Sequence, residues 1–272
     1  MKTLQKVNTF AFCAMVLVNF LANVIPFGGN TTGEVSAAYP NLFTPAPITF
    51  AIWGAIYLLL GLFVLYQWGI FDNGEHSDMV RQQVGYWFAV SCLLNIEWIV
   101  AWHFHAIFLS LIGIVFLLFS LIKIESSVSR RSGGFFKRMF AYAGFDIYFG
   151  WIIAATLANL NVFLVSIGGT NQFFEKEFWA TLMILIGAVI GFVVIMKMQR
   201  WVIGLTLIWA YGGILMRHLT DVGTTRTHWF AIGAAAIGMA TLICITVVSA
   251  MRRHRMCKVT ETCDDCEIVE NE

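Results

Sequence analysis

The stretch LFTPAPITFAIWGAIYLLLG, residues Leu42–Gly61, joins a proline-punctuated polar segment to an apolar helix. Pro45 and Pro47 stiffen the backbone there, and proline suits the first turn of a helix, where its missing N–H would have no partner. Trp53 and Tyr57 follow four residues apart and therefore lie on one helix face. The stretch predicts that a stiff loop leads into an apolar helix with an aromatic face.

The composition places the chain in a lipid bilayer. Hydrophobic residues make up 59% of its 272 residues, charged residues only 12%, and the mean hydropathy is +0.76. Soluble domains carry about 25% charged residues, so the apolar excess is too large for a water-soluble core. The net charge of +1 and the lack of a basic domain argue against a nucleic-acid partner.

Apolar segments long enough to cross a bilayer, about 20 residues each, recur along the whole chain. They lie near residues 8–27, 46–70, 84–104, 106–123, 139–167, 178–197, 201–218 and 228–250. The first is longer than the apolar region of a signal peptide, so we expect it to be retained. The predicted fold is an all-α, polytopic transmembrane bundle of about eight spans.

The distribution of positive charge predicts the orientation of the spans. With both termini in the cytoplasm, 14 of the 17 Lys and Arg residues fall on the inner side. The exceptions are Lys176, Arg217 and Arg226. Cytoplasmic loops carry such an excess of positive charge. We therefore predict an integral, multi-pass membrane protein with both termini cytoplasmic.

Three short patterns lie in order on the second, third and fifth spans. The second span has Pro, then Trp eight residues on, then Tyr four further; the third has Asn-x-x-Trp; the fifth has Tyr-x-x-Trp-x-x-x-Ala-Thr-x-x-Asn. The residues are Pro45, Trp53, Tyr57, Asn95, Trp98, Tyr148, Trp151, Ala155, Thr156 and Asn159. In these patterns the chain resembles the TspO/MBR family, the tryptophan-rich sensory proteins and translocator (peripheral benzodiazepine receptor) proteins.

The resemblance covers about residues 8–167 and does not include the last three predicted spans. The chain departs from the family where Ile147 replaces a proline, where Phe50 is shifted by one residue, and where the loop before the second span shortens to 39–44. We predict a TspO-like five-helix bundle at 1–167, three additional transmembrane helices at 168–250, and an acidic, cysteine-containing cytoplasmic tail at 251–272.

The resemblance implies binding of a porphyrin, sterol or drug-like ligand, for sensing, handling or transport. If the three patterned spans face one another, Trp53, Trp98 and Trp151 wall a pocket that opens toward the outer side. The polar members of the set would orient a flat apolar ligand. The competing interpretation is structural, because such residues also gather at membrane interfaces and helix contacts. No metal and no cofactor are predicted, other than a porphyrin or haem-type ligand.

Glu97 lies inside the third span, where a carboxyl group is costly and indicates function by default. Because it is two residues from Asn95, it points to another face, and we expect it to face the additional helices near Arg217 or His218. A structural hydrogen bond is the competing interpretation. Glu97 also supports two alternatives: a secondary transporter or channel for a small solute, and a membrane enzyme that pairs Glu97 with a histidine of the turn at 103–105.

Enzyme activity is the less favoured alternative, since the sequence has no HExxH pattern, phosphate loop or nucleophile–base pair. The pattern Gly187-x-x-x-Gly191 could support a homodimer contact or packing within the chain. The acidic segment 260–272 is predicted to be disordered.

Overall fold

The computed structural model describes residues 2–71, 75–128, 139–169, 176–220 and 228–269, with the backbone alone at 75–77, 176 and 253–269. The described residues are predominantly helical and contain no strand. This confirms the prediction of an all-α bundle.

Ten α-helices follow one another along the described chain. They are α1 (Lys2–Val24), α2 (Thr32–Ala37), α3 (Ile52–Gln67), α4 (Glu75–Val84), α5 (Trp87–His103), α6 (Ile107–Ser127), α7 (Gly144–Ser166), α8 (Lys176–Met198), α9 (Trp201–Thr220) and α10 (Trp229–Val269). Short 3₁₀ helices at Phe27–Gly29 and Pro47–Ala51 precede α2 and α3, and a π-helical turn at Met139–Ala143 precedes α7.

Length and hydropathy support the predicted number of spans. Seven of the described helices, some with their 3₁₀ or π extensions, are long and apolar enough to cross a bilayer. Helix α5 meets the same test only together with the end of α4, and the two are bent by 50° between Val84 and Trp87. Counting that pair gives eight spans.

In the stretch Leu42–Gly61, the helical segment begins where the two prolines predict. Pro47 occupies the first turn of the 3₁₀ helix that runs directly into α3. Pro45 lies just before it and is buried.

Helix α9 joins the first five spans to the last three, because it packs against α7 on one side and α10 on the other. Gly150 of α7 allows this close approach: a Cβ atom there would lie 2.9 Å from the Cβ atom of Thr206. At the inner end predicted from charge, Arg200 forms an ion pair with the buried Glu125 and lies 3.8 Å from Asp146.

The glycine pair of the GxxxG pattern packs against side chains of its own chain. A Cβ atom at Gly187 would lie 2.8 Å from the hydroxyl of Tyr211, and one at Gly191 would meet Leu207 and Leu242. Both glycines therefore serve packing among α8, α9 and α10.

The last helix extends into the acidic tail, as far as Val269. Composition predicted disorder from residue 260, but no glycine or proline interrupts residues 251–269, so the backbone can stay helical. The side chains of Cys257, Cys263 and Cys266 lie outside the described part.

Candidate ligand site

Aromatic side chains from three helices surround Trp53. Its ring stacks on Tyr57 and on Trp98, with centroids 5.6 Å apart in both pairs. Tyr148 and Trp151 of α7 meet it near edge-on, at 6.0 and 6.2 Å. Offset-stacked and edge-to-face pairs are the favourable arrangements of aromatic rings. Spacings of four residues in α3 and three in α7 bring each pair to one face.

A small cavity of about 50 Å³ lies beside this cluster. Its walls come from the outer segment before α3 and from α2, α3, α5, α7 and α9. They consist of Thr32, Ser36, Phe43, Pro45, Phe50, Trp53, Trp98, Trp102, Trp151, Ala154, Ala155, Ala158, Asn159, Val162, Ala210 and Ile214.

Two tryptophans of this wall carry unused hydrogen-bond donors. Trp98 and Trp151 are 5% and 3% exposed, and the indole N–H of each is buried without a hydrogen-bond partner among the described residues. Buried tryptophan usually finds a partner for this group, and an unpaired buried donor costs free energy. Both side chains belong to the cavity wall.

A larger cleft of about 470 Å³ lies between α1 and α3, with Ile99 of α5 at its back. Phe50, Trp53 and Thr32 belong to the walls of both spaces. The side chains of Phe50 and Trp53 thus form a partition between the cleft and the small cavity.

The segment that covers the small cavity, residues 42–49 or "the lid", is attached to α9. The Ala46 amide donates to the Gly213 carbonyl at 2.9 Å, and the Trp209 indole N–H donates to the Thr49 carbonyl at 2.9 Å. His218 Nε2 lies 2.8 Å from the Leu42 carbonyl, so that nitrogen carries the proton. The seventh span therefore holds the lid in place.

Helix α2, which also faces the cavity, begins with a capping box. The Thr31 amide donates to Glu34 Oε2 at 2.7 Å, and the Glu34 amide donates to the Thr31 hydroxyl. The hydrogen bonds from the Thr31 amide and hydroxyl hold the pKa of the Glu34 carboxyl below its usual value. The box fixes the helix that brings Thr32 and Ser36 to the cavity.

Seven of the ten patterned residues line one of the two spaces. Pro45, Trp98, Trp151, Ala155 and Asn159 line the small cavity, Tyr57 lines the cleft, and Trp53 lines both. The other three, Asn95, Tyr148 and Thr156, line neither.

Those three hydrogen-bond to protein groups, Asn95 and Tyr148 between helices and Thr156 within its own helix. Asn95 donates to the Tyr148 hydroxyl at 3.0 Å and accepts from Asn19 of α1 at 2.7 Å. Thr156 donates to the Ile152 carbonyl of its own helix at 2.7 Å. Asn95, Tyr148 and Thr156 therefore lie behind the aromatic wall and support it.

Glu97 lies against α6, where a Cβ atom added to Gly113 would overlap its carboxylate. Both of its oxygens are buried without a hydrogen-bond partner among the described residues. The expectation that it faces Arg217 or His218 is wrong, because the α5 face that carries Glu97 packs on α6 rather than on α9. Glu97 lines neither the cavity nor the cleft.

The histidines of the outer turn make local contacts. His103 Nδ1 lies 2.8 Å from the Ile99 carbonyl of its own helix, and His105 Nδ1 lies 3.1 Å from the Tyr39 hydroxyl. Within the described ranges, no cluster of three or more His, Cys, Asp or Glu side chains could hold a metal ion.

Sequence reasoning missed the contribution of α9 to the site. Ala210, Ile214 and His218 recur every four residues and so share one helix face, which meets the cavity through the first two and the lid through the third. Small and apolar residues of this kind give no signal of their own in a membrane helix. Phe43 and Phe50 were also missed as cavity walls.

The fold and the site together define a polytopic helical membrane protein with a lid-covered aromatic cavity. The sequence model of the family described as TSPO-like protein matches residues 5–249, and the chain belongs to this family. The match extends beyond residue 167, where the three patterns end, and continues through α8 and α9 into α10. No curated protein and no solved structure matches the chain.

Proposed function

We propose that this protein binds a neutral, largely apolar small molecule of the sterol type in the aromatic cavity, as a sensor or carrier of that ligand. The proposal is carried by the indole N–H groups of Trp98 and Trp151, which have no hydrogen-bond partner in the part of the chain that the structure describes. A hydroxyl or carbonyl oxygen of the ligand would accept from them, while the rings and small side chains of the wall contact its apolar body. This is the usual composition of a small-molecule site.

The size of the cavity indicates how the ligand would be accommodated. Small-molecule pockets measure about 300–1,000 Å³, far more than the 50 Å³ of the small cavity. The adjoining cleft adds 470 Å³. Rotation of the Phe50 and Trp53 side chains would join the two spaces into one pocket of sufficient size.

Charge favours a sterol over a tetrapyrrole as the ligand. Among the described residues that line the cavity and the cleft, none is a lysine or arginine. A porphyrin with propionate groups would bring anions that need charged or strongly donating partners. A neutral ligand with one or two oxygens has no such requirement.

The two alternatives gain no support from the placement of Glu97. A transporter or channel would need this carboxylate on a solute path, and an enzyme would need it in one cavity with a histidine. Glu97 instead lies between α5 and α6, and His103 is turned to its own helix.

Binding can be measured by energy transfer from tryptophan to the fluorescent sterol dehydroergosterol in detergent micelles. We expect saturable transfer with the wild type. Trp98→Phe and Trp151→Phe keep an aromatic ring but lose the N–H donor, so each should weaken binding by about threefold to tenfold. Trp201→Phe is the matched control, because Trp201 is 37% exposed and lines neither space.

Two outcomes would count against the proposal. One is the absence of saturable transfer with the wild type. The other is binding that responds equally to all three substitutions. Tighter binding of protoporphyrin IX than of the sterol, under the same conditions, would reverse the assignment of ligand class.

We also propose that both termini are cytoplasmic, supported by the distribution of Lys and Arg. A membrane-impermeant maleimide applied to intact cells should label His105→Cys but not Lys123→Cys, each in a cysteine-free background. Both positions are exposed, at opposite ends of their spans. The reverse labelling pattern would invert the topology.

A further inference from the structure

We propose that the ligand reaches the cavity from the bilayer through the cleft between α1 and α3, and that this cleft is its first binding site. The inference rests on the proposed function and adds a route, a second site and a partition. Three features of the structure support it: a closed lid, a cleft that faces lipid, and a wall shared by the two spaces.

The part of the lid that lies over the cavity is buried. Phe43, Thr44 and Ala46 are 2%, 5% and 6% exposed, and Pro45 between them is buried. Loops usually lie at the surface, so four consecutive buried residues are a plug rather than a mobile cover. The attachment to α9 through Gly213 and other residues of that helix holds the plug in place.

The cleft, in contrast, opens sideways. Phe20 and Val24 of α1 stand at its rim and are 60% and 59% exposed. Helix α1 is long and apolar enough to span a bilayer, and large apolar side chains exposed on such a helix contact lipid. A molecule dissolved in the membrane would meet the cleft without leaving the apolar phase.

The cleft is amphipathic along its length. Asn23, Thr31 and Thr32 lie toward its outer end, and Val16 and Ile99 lie deeper among its walls. An amphiphile with one neutral polar end fits with its hydroxyl or carbonyl group outward and its apolar body inward. The wall of the small cavity is also mostly apolar with a few polar side chains, so it suits the same kind of molecule.

The partition between the spaces consists of side chains that can move. Phe50 and Trp53 line both spaces and are only partly buried. Rotation of these two rings would let a ligand in the cleft extend into the cavity while the lid stays in place, so that it occupies the joined pocket.

Stopped-flow binding of dehydroergosterol, delivered in dodecyl maltoside micelles, tests the route. Val16→Phe narrows the cleft, whereas Leu17→Phe places the same aromatic side chain one residue away, at a position 56% exposed and outside the cleft. We expect Val16→Phe to slow association about tenfold, as a modest added barrier does, whereas a mere loss of binding contacts would leave association unchanged and speed dissociation. Leu17→Phe should bind at the wild-type rates.

A second blocking variant makes the test independent of the folding of α1. Gly33 lines the cleft, and a Cβ atom added there has no neighbour within 4 Å, so Gly33→Leu is accommodated and should slow binding as well. Wild-type rates in both blocking variants would overturn the route but leave the cavity site intact. Faster association in Gly213→Ala, which disturbs the lid, would assign the route to the aqueous side. Failure of the wild type to bind would overturn the function and the route together.

Discussion

At the scale of single residues, the aromatic wall depends on a buried chain of polar groups behind it. Asn19, Asn95 and Tyr148 link α1, α5 and α7 by two hydrogen bonds, and all three are at most 6% exposed. The bilayer interior offers no water to replace a lost partner. The chain therefore fixes the helices that hold Trp53, Trp98 and Trp151 in contact.

We expect Asn95→Leu to destabilise the protein by about 1–2 kcal/mol, the range of interhelical hydrogen bonds in membranes. A double-mutant cycle with Tyr148→Phe should show coupling, because each substitution removes the same bond. Unfolding in mixed micelles measures both values. Thr156→Val is the control, since its hydroxyl bonds only within α7. Additive effects of the two substitutions would contradict the assignment.

The contact between Glu97 and Gly113 makes a second prediction at this scale. Ala normally stabilises a helix by about 0.5–1 kcal/mol relative to Gly, but a Cβ atom at Gly113 would overlap the Glu97 carboxylate. Gly113→Ala should therefore destabilise the wild type and not the Glu97→Ala variant. Gly54→Ala should be neutral or stabilising in both, because nothing lies within 4 Å of its added Cβ. If Gly113→Ala has the same effect in both backgrounds, the two residues are not in contact.

At the scale of helices, α9 acts on the site through one face. That face provides Ala210 and Ile214 to the cavity wall, and the carbonyl of Gly213 to the lid. The lid is too short to bury its own side chains and needs another element to pack against. The seventh span supplies the surface against which it packs.

Two adjacent glycines of α9 give a matched test of this contact. A Cβ atom at Gly213 would collide with the Thr49 side chain, whereas one at Gly212 meets nothing within 4 Å. We expect Gly213→Ala to cost about 1–3 kcal/mol as overpacking and to speed hydrogen exchange of the Ala46 amide. Gly212→Ala should be neutral or slightly stabilising. Equal exchange at Ala46 in both variants would mean that Gly213 does not hold the lid.

At the scale of the whole molecule, a buried ion pair joins the two groups of helices. Arg200, between α8 and α9, pairs with Glu125 at the end of α6 and lies near Asp146 at the start of α7. The Glu125 side chain is fully buried in this pair. Removal of one partner from a buried pair leaves the other charge without compensation.

Arg200→Met should therefore destabilise the protein by about 3–5 kcal/mol. Lys197→Met removes an equal charge from an exposed position nearby, and its effect should stay within about 0.5 kcal/mol. Unfolding in mixed micelles compares the two variants. Equal stabilities would show that the ion pair does not hold α9 to the first five spans.

The sequence by itself determined the class of the fold and the aromatic residues of the site. Long apolar segments require helices in a bilayer, so their number and order could be read from composition. The patterns around Trp53, Trp98 and Trp151 also indicated the family. Local spacing suffices for these conclusions, because helix geometry fixes which neighbours in sequence share a face.

Only the tertiary structure decided which of these residues face a cavity and what covers it. Asn95 and Asn159 both stand in a pattern and both hydrogen-bond to a neighbouring helix, yet only Asn159 lines the cavity, since that depends on which helix lies beside it. The placement of Glu97 against α6, the lid contacts of α9 and the cleft beside α1 arise from helices far apart in sequence. Their packing angles and contacts depend on the shape of both surfaces at once, which no local pattern encodes.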